Sequence, residues 1–583
     1  MNAVQAVADP RAEPREAPEL APVARGQRIE ALDVVRGFAL IGIFLMNIEW
    51  FNRPISAMNE GLPRDASGLD WLAGWFVAYF VAGKFWTIFS LLFGMGFAVM
   101  LVRAEEAGRP FVKVYLRRIL ALATFGAAHF IFLWDGDILF SYAVGALGLL
   151  IVLYGKPKWI VLGTAAFIGL GFLASPLFAV ASGVAIMGLL GLYLRGQGKL
   201  RWKGLNMPWF SVILMALGLV LSIAAAVFWL LPDGPTEPRG PLSVFGPLVF
   251  IVGWLSWKYH EPESLRSLRM SVAIYIFGGV AMTLGSVLQT FAPDPLAVAE
   301  AAAAKAPAVA ASAPAAAPSA AASSADAHKK KTPQERVTEI REERKKRLED
   351  QANDKAEEVR IYATGSYGDA VDLRARHFPE KAAGDAGFAV VLVGMFLLGS
   401  WFVRSGVMQN TARHLPLFRK LAMVALPIGI GMGLAGALIA VSHTPGDRHD
   451  GWGITRGLLM LGALPASLGY VGLVVTMLHS RGFLSRIRVL APMGRMALTN
   501  YLTQSLICAL FFYHYGLGHW GMPRGQQVLF VAAVYAAQVA FSHWWLARFN
   551  YGPMEWLWRG FTYRQVPKLR IDKTAAPATA SAA

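Results

Sequence analysis

The chain has 583 residues, of which 55% are hydrophobic and only 16% are charged, and its formal net charge at pH 7 is +17. This composition excludes a water-soluble globular protein, because a soluble surface of this size needs many more charged side chains. An intrachain disulfide is also excluded, since the sequence has only one cysteine. The positive charge fits the basic loops of a membrane protein better than nucleic-acid binding, so no nucleic acid partner is expected.

Apolar stretches near the roughly 20 residues that a helix needs to cross a bilayer recur along the whole chain. They predict an all-α, polytopic transmembrane helix bundle. The predicted spans lie near residues 32–50, 84–102, 119–134, 138–154, 159–174, 177–194, 207–231, 241–257, 270–291, 386–403, 421–442, 457–478, 496–513 and 526–546. Because Pro176 allows residues 159–194 to form one broken span, we expect about 12 to 14 spans.

Basic residues are concentrated in alternate connections between these spans, and Lys and Arg near helix ends mark the cytoplasmic side. The basic connections lie within residues 103–118, 156–158, 195–203, 404–420 and 481–495, whereas the turn at 135–137 has no basic residue. The pattern predicts that both termini are cytoplasmic. Residues 1–30 lack the apolar core of a cleavable signal peptide and are expected to form a disordered cytoplasmic tail.

Composition divides the rest of the chain further. We expect an N-terminal transmembrane bundle over 31–292, a C-terminal transmembrane domain over 386–563 and a disordered cytoplasmic tail over 564–583. Between them, residues 293–385 combine an Ala-rich tract with a charged segment that predicts a helix near 334–360. Parity of the spans places this insert outside the cell. The favoured interpretation is a solvated spacer without chemistry.

Six sequence blocks carry a resemblance to a known family. They are "RIEALDVVRGFALIGIFLMN", "GKFWTIFSLLFGMGFAVML", "HFIFLWDGDILFSYAVGALGL", "GSYGDAVDLRARHF", "GRMALTNYLTQSLIC" and "YGPMEWLWRGFTY". In this order they resemble the YeiB family of bacterial membrane proteins, which carry domain of unknown function 418. The family is more distantly similar to membrane acyltransferases such as the heparan glucosaminide acetyltransferases. The resemblance implies a multi-pass protein of the bacterial inner membrane, with the lipid bilayer as its first partner.

Titratable residues interrupt the apolar sequence in "HFIFLWDGDILFSY", which begins at His129. Asp137 is expected to cap the helix that starts at Ile138, and Gly136 allows a tight turn. His129 is expected inside the apolar zone or at its outer boundary, where it is either a functional residue or a packing histidine bonded to a neighbouring helix. As a functional residue it would act as a general base, with Asp135 or Asp137 orienting the imidazole, or as a proton relay. No metal site is expected, because no second His or Cys stands at a ligand spacing and the aspartates belong to a turn.

Basic residues at the predicted inner surface form a second candidate site. They could hold the phosphates of a nucleotide-type acyl donor, with acyl-coenzyme A as the donor substrate and no permanently bound cofactor. The candidate residues are Arg28, Asp33, Arg36, Arg117, Arg118 and Arg495. The alternative is that Asp33 stabilises a helix N-terminus and that the arginines only follow the topology rule.

A polar stripe at Thr499, Asn500 and Gln504 falls on one side of a predicted helix. It either binds helices to each other or lines a path for the substrate. Lys84 is expected to extend its ammonium group to the membrane surface.

We therefore expect an acyltransferase-like protein that moves an acyl group from a cytoplasmic donor to an extracytoplasmic glycan, lipid or amine. The alternative is a proton-coupled transporter or flippase of a small molecule or a lipid-linked envelope precursor. ATP-driven transport is not expected, because the sequence contains no P-loop motif.

Overall fold

The computed structural model describes residues 28–202, 205–231, 239–305 and 332–571. Within these residues, eleven helices are long and apolar enough to cross a membrane, and three shorter apolar helices accompany them. The predicted all-α bundle is confirmed. Residues 306–331, which include most of the Ala-rich tract, and most of both predicted tails lie outside the described residues.

The helices are numbered in chain order. The first ten are α1 (Glu30–Asn47), α2 (Gly68–Phe76), α3 (Lys84–Glu106), α4 (Val112–Phe132), α5 (Leu139–Tyr154), α6 (Pro157–Gly171), α7 (Leu177–Leu194), α8 (Trp209–Leu230), α9 (Arg239–Lys258) and α10 (Arg266–Phe291). The others are α11 (Pro295–Lys305), α12 (Pro333–Thr364), α13 (Tyr367–Arg404), α14 (Leu415–Lys420), α15 (Leu426–Ala437), α16 (Trp452–Leu478), α17 (Ala491–Arg495), α18 (Ala497–Phe512), α19 (Arg524–Leu546) and α20 (Pro553–Tyr563). A two-stranded antiparallel hairpin, β1 (Lys199–Trp202) and β2 (Leu205–Pro208), joins α7 to α8.

Residues 133–138, between α4 and α5, mark one end of the bundle, which we call the outer end. The opposite end, which carries Gly494 and α20, is called the inner end. These names follow the orientation that the basic loops predict.

Glycines allow the central helices to approach closely. A Cβ atom at Gly399 of α13 would lie 2.0 Å from the carbonyl oxygen of Leu91 in α3, and one at Gly94 would lie 2.1 Å from that of Phe396. Contacts between helix backbones through small residues are the usual packing device in membranes, where the lipid offers no competing hydrophobic force. The pair α3 and α13 therefore forms the centre of the bundle, and the candidate residues of α4 and α5 pack beside it.

Helix α12 is attached to the bundle, whereas the sequence favoured a solvated spacer for this part of the chain. Helix α12 begins with a capping box between Thr332 and Glu335, and most of its first turns are exposed. Its last turns are different, because Glu358, Ile361 and Tyr362 are buried against the outer end. Helix α13 then runs unbroken from Tyr367 to Arg404, so this span starts well before the predicted residue 386.

Candidate functional site

The chain reverses direction sharply at the end of α4. The backbone N–H groups of Leu133 and Trp134 both donate to the carbonyl oxygen of His129, at 2.9 and 2.8 Å, and thereby close the helix. Helix α5 packs tightly against α4, because a Cβ atom at Gly126 would lie 2.2 Å from the backbone nitrogen of Phe140. This close approach brings the residues that follow the turn alongside the last turns of α4.

As a result, Asp137 lies beside His129. Asp137 Oδ1 is 2.8 Å from His129 Nδ1, and both side chains are completely buried. Asp137 Oδ2 accepts a 2.8 Å hydrogen bond from the backbone N–H of Phe140, so one carboxylate both caps α5 and contacts the histidine. Of the two aspartates that were expected to orient the imidazole, Asp137 is the one in contact with it. The contact is possible because α4 ends at Phe132, two residues before the predicted end of the span at 134.

The contact with Asp137 determines the protonation pattern of the imidazole. Because a carboxylate only accepts hydrogen bonds, neutral His129 carries its proton on Nδ1, and Nε2 keeps its lone pair. His129 Nε2 is buried and has no hydrogen-bond partner among the described residues. The ring of Tyr501 lies 5.2 Å from the imidazole, and that of Trp134 lies 6.3 Å away at its edge. A carboxylate that orients a histidine with a free Nε2 is the arrangement of a general base.

Asp135 has a different partner. Its Oδ2 accepts a 2.9 Å hydrogen bond from the hydroxyl of Tyr362 in α12, while its Oδ1 is buried without a partner among the described residues. Burial raises the pKa of the Asp135 carboxyl, and the nearby Arg374 partly offsets this effect. Arg374 donates to the carbonyl oxygens of Ile131 and Leu133, at 2.9 and 3.2 Å, and so satisfies the end of α4. Asp135 thus attaches the α4–α5 turn to the extramembrane helix.

Aromatic rings surround this attachment at the outer end. Tyr362 stacks on Tyr513 with ring centroids 4.4 Å apart, and Phe51 stacks on Trp134 at 4.6 Å. Trp520 lies 5.8 Å from Tyr362. Since Trp134 also borders His129, the rings form a continuous wall from the histidine to the outer surface.

Sequence reasoning missed a second polar cluster next to Asp137. Ser141 Oγ donates to Asp385 Oδ1 at 2.8 Å, and Lys381 Nζ donates to both Ser141 Oγ and Asp385 Oδ2, at 3.0 and 2.8 Å. Ser141 stands one helical turn after Asp137, so the two clusters share the beginning of α5. The spacing of Lys381 and Asp385, four residues apart in "KAAGD", is the signal that could have revealed the ion pair.

At the inner end, Asp33 lies close to two of the candidate arginines. Arg36 Nη1 lies 2.9 Å from Asp33 Oδ1, and Arg28 Nη1 lies 3.8 Å from Asp33 Oδ2. Burial lowers the pKa of Arg28, and Asp33 partly offsets this, while the positive charges of Arg559 and Arg36 lower it further. Arg559, on α20, was not predicted, and it makes the cluster more positive than the sequence suggested.

Two further guanidinium groups at the inner end each lie over an aromatic ring. The Arg118 guanidinium lies 4.1 Å from the ring centroid of Trp558, and that of Arg559 lies 4.8 Å from Tyr551. Burial lowers the pKa of Arg559, and the charge of Arg118 adds to the effect. We call the four side chains that repel one another here the arginine cluster: Arg28, Arg36, Arg118 and Arg559. The other two candidates, Arg117 and Arg495, are half-buried at the same end, on α4 and at the end of α17.

The polar stripe of α18 faces other helices. Gln504 Nε2 donates to Gln538 Oε1 at 2.9 Å, and Asn500 Nδ2 donates to Ser542 Oγ at 3.1 Å. Thr499 Oγ1 donates at 2.6 Å to Glu555 of α20, whose carboxylate also accepts from two backbone N–H groups at the start of α18. These contacts agree with the packing interpretation of the stripe, because each polar group is bonded to a neighbouring helix.

The chain is similar to bacterial proteins whose names give no activity. The family described as "Protein of unknown function (DUF418)" matches residues 402–565. The chain is similar to the uncharacterized protein YxaH of Bacillus subtilis, with 27% identity over 93% of this chain and 96% of the relative. It is also similar to the uncharacterized protein YeiB of Escherichia coli, with 26% identity over 92% of this chain and 97% of the relative. No solved structure matches the chain.

Proposed function

Because the chain is similar to YxaH and YeiB over more than nine-tenths of its length and has eleven described helices that are long and apolar enough to cross a membrane, we propose that it is a YeiB-family acyltransferase of the bacterial inner membrane. It would move an acyl group from a cytoplasmic thioester donor, such as acyl-coenzyme A, to an extracytoplasmic glycan, lipid or amine. The observation that carries this proposal is the buried His129–Asp137 pair, in which Nε2 has no partner among the described residues.

The pair can perform the proton transfers that acyl transfer requires. His129 Nε2 takes the proton of an acceptor hydroxyl or amine while the acceptor oxygen or nitrogen forms a bond to the acyl carbon. The carbon–sulfur bond of the thioester then breaks, and the imidazolium returns the proton to the leaving thiolate. Asp137 stabilises the imidazolium between these steps through its 2.8 Å contact with Nδ1. The reaction therefore needs no net uptake of protons.

The arginine cluster lies at the inner end of the bundle and therefore supports an acyl donor that enters from the inner side. Arg118 and His129 belong to the same helix and lie about three helical turns apart, which is roughly 16 Å at about 1.5 Å per residue. Three full turns bring both side chains to the same face of α4. The phosphates of the donor would bind the arginines, because guanidinium groups suit phosphate oxygens, and its extended arm would follow α4 toward the histidine.

A reconstituted assay tests this function. Purified protein in liposomes is supplied with radiolabelled acetyl-coenzyme A and a bacterial envelope fraction, and label in the envelope fraction is measured. His129→Gln keeps the size and polarity of the side chain but cannot take up a proton. We expect its activity to fall by about 10² to 10⁴-fold. His519→Gln, the same change at an exposed histidine of the outer end, is expected to retain full activity.

Measuring both the activity and the thermal stability of His129→Gln separates a catalytic role of the histidine from a packing role. If His129→Gln is destabilised yet as active per folded molecule as the wild type, the general-base role is wrong. Asp135→Asn adds a second control, because Asp135 bonds to Tyr362 and not to the imidazole. A loss of activity in Asp135→Asn as large as that in His129→Gln would contradict the specific role of the His129–Asp137 pair.

Transport or flipping of an envelope precursor is the second candidate function. It is favoured by one observation, the break between α2 and α3, since interrupted helices often line substrate sites of transporters. Here His129 would carry protons and the substrate would cross unmodified. Accumulation of unmodified precursor in sealed vesicles, without label transfer from acetyl-coenzyme A, would favour this function over the enzyme.

A further inference from the structure

Lys84 is a buried lysine inside the membrane bundle. Its side chain is fully buried, and its ammonium nitrogen has no hydrogen-bond partner among the described residues. The expectation that Lys84 extends to the membrane surface is therefore wrong. Helix packing accounts for this, because α3 begins with Lys84 deep enough for the next residue, Phe85, to pack directly on Gly42 of α1.

The lysine stands at a break in its helix. The segment from Gly68 to Glu106 is interrupted by a π-helical turn over Val77–Val81, and Gly83 adopts φ of +80° before α3 begins. Because helical side chains lean toward the N-terminus of their helix, the position of Lys84 at the start of α3 favours an ammonium group near this break. The first backbone N–H groups of α3 add partial positive charge at the same place.

A second irregular helix meets the break. Ser467 of α16 donates a 2.8 Å hydrogen bond to the carbonyl oxygen of Lys84. Pro465 lies inside α16, and the hydroxyl of Tyr275 bonds to the backbone on both sides of the distorted turn, accepting from Leu464 N–H at 2.7 Å and donating to Met460 O. A broken helix that meets a proline-distorted helix at membrane depth resembles the arrangement in which transporters and membrane enzymes hold polar ligands.

An unpaired ammonium in this position is costly. Polar groups buried without a partner destabilise a protein, and charged groups inside a membrane normally face a counter-ion or a wet cavity. The nearest part of the helix cannot compensate the charge, because a helix N-terminus is itself positive. An anion bound at the break would satisfy both the ammonium and the N–H groups.

We propose that Lys84 and the first turn of α3 form a binding site for the anionic head of an amphiphile, a single carboxylate or phosphate attached to an apolar chain. The apolar chain is inferred from the surrounding side chains. The ring of Phe85 lies 5.4 Å from Phe38 and 5.3 Å from Tyr470, and Tyr470 donates to the carbonyl oxygen of Phe80. Phe38, Phe80 and Tyr470 are half-buried, so aromatic side chains extend from the site toward the lipid.

Chain-matched amphiphiles test the site. The delipidated protein in a neutral detergent is incubated with decanoate, decyl phosphate, decanol or decyltrimethylammonium, and its thermal unfolding is followed. We expect one or both anions to raise Tm by several degrees, as a ligand that binds only the folded state does, and the neutral and cationic compounds to have no such effect. The comparison of decanoate with decyl phosphate distinguishes the two head groups.

Variants of Lys84 decide the outcome. Lys84→Met is expected to lose the anion-dependent rise in Tm, Lys84→Arg to keep at least part of it, and Lys113→Met, at an exposed lysine of α4, to behave as the wild type. An equal rise in the wild type and in Lys84→Met would overturn the proposal, as would the absence of any rise with both anions. If Lys84→Met does not fold, the proposal is still tested by the change in Tm that each of the four compounds causes in the wild type and in Lys84→Arg. The site does not depend on the acyltransferase function, because a transporter could also use it.

Discussion

The hydroxyl of Tyr362 donates a 2.9 Å hydrogen bond to Asp135, and this contact joins the extramembrane helix α12 to the turn that carries the His129–Asp137 pair. A backbone hydrogen bond also attaches this part of α12 to the segment after α18, because the N–H of His514 donates to the carbonyl oxygen of Tyr362 at 2.9 Å. A helix that the sequence describes as a charged spacer thus forms part of the wall of the candidate site.

Removing this hydroxyl should destabilise the protein. In Tyr362→Phe, the buried carboxyl of Asp135 loses its hydrogen-bond donor, and we expect the free energy of unfolding to fall by about 1–3 kcal/mol. Thermal unfolding in detergent measures the effect. Val359→Ala, at an exposed position of the same helix, serves as the control and should change Tm little. If the two variants have equal Tm values, the Tyr362–Asp135 bond does not stabilise the junction.

The docking of α12 should depend on pH through Glu358. This buried carboxyl accepts hydrogen bonds from the backbone N–H groups of Ile55, at 2.6 Å, and Ser56, at 3.3 Å. Burial, with the neighbouring charge of Asp135, raises its pKa from 4.5 to about 7. Because the docked state binds the proton more tightly, the stability due to Glu358 is fully present below about pH 4.5 and is lost as pH rises through about 7.

Hydrogen exchange between pH 5 and pH 8.5 measures this effect. We expect the amide protection of residues 355–364, corrected for intrinsic exchange, to decrease as pH rises in the wild type. Glu358→Gln cannot ionise, so its protection should vary much less over the same range. Glu357→Gln is the matched control, since Glu357 pairs with Arg376 near the surface and should leave the pH dependence unchanged. If the protection of Glu358→Gln still depends on pH as in the wild type, a group other than Glu358 causes the pH dependence.

Asp137→Asn should inactivate the protein through the histidine tautomer. The backbone N–H of Phe140 needs an acceptor, so the single carbonyl oxygen of the amide is expected to turn toward it. The NH₂ group then faces His129 Nδ1 and donates to it, which places the imidazole proton on Nε2 and removes the base. We expect acyl transfer to fall by about 10² to 10⁴-fold, with little change in Tm.

The reconstituted assay and a melting curve on the same preparation check this expectation. Asp372→Asn, an exposed aspartate on α13, is the control. Less than a tenfold loss of activity in folded Asp137→Asn would show that the carboxylate does not orient a catalytic base.

Arg559 should determine donor affinity if the arginine cluster binds phosphate. Arg559→Gln removes one charged donor, and the loss of a charge-assisted hydrogen bond of about 1.5–3 kcal/mol predicts at least a tenfold higher KM for the acyl donor. Because the contact is made before and during the reaction, kcat should change little. Steady-state kinetics measure both constants, with Arg564→Gln as the control outside the cluster. A fall in kcat at constant KM would place Arg559 in another role.

The orientation can be tested with single cysteines. Cys508 is buried, so Cys508→Ala provides a background without accessible thiols. Glu349→Cys on α12 and Arg481→Cys between α16 and α17 then report the two sides of the membrane. We expect a membrane-impermeant maleimide to label position 349 in intact spheroplasts and position 481 only after lysis. The reverse pattern would invert the predicted topology.

The sequence alone predicted the helical bundle and the two regions where polar residues enter it. Both results depend on local composition, because a run of apolar residues must face lipid or protein wherever the chain folds, and a polar residue inside such a run needs a partner. This is why His129 could be selected, and why Arg28, Asp33 and Arg36 could be grouped at one end of the bundle.

The identity of the partners was decided only by tertiary structure. Asp137 reaches His129 because α4 ends at Phe132 and because Gly126 lets α5 approach closely. Tyr362 and Arg559 enter the two sites from helices that are far away in the sequence, α12 and α20. Hydropathy contains no information about which helix faces meet, since a lipid-facing and a helix-facing residue are equally apolar. Close packing of small residues selects these contacts, and the polar pairs follow from them.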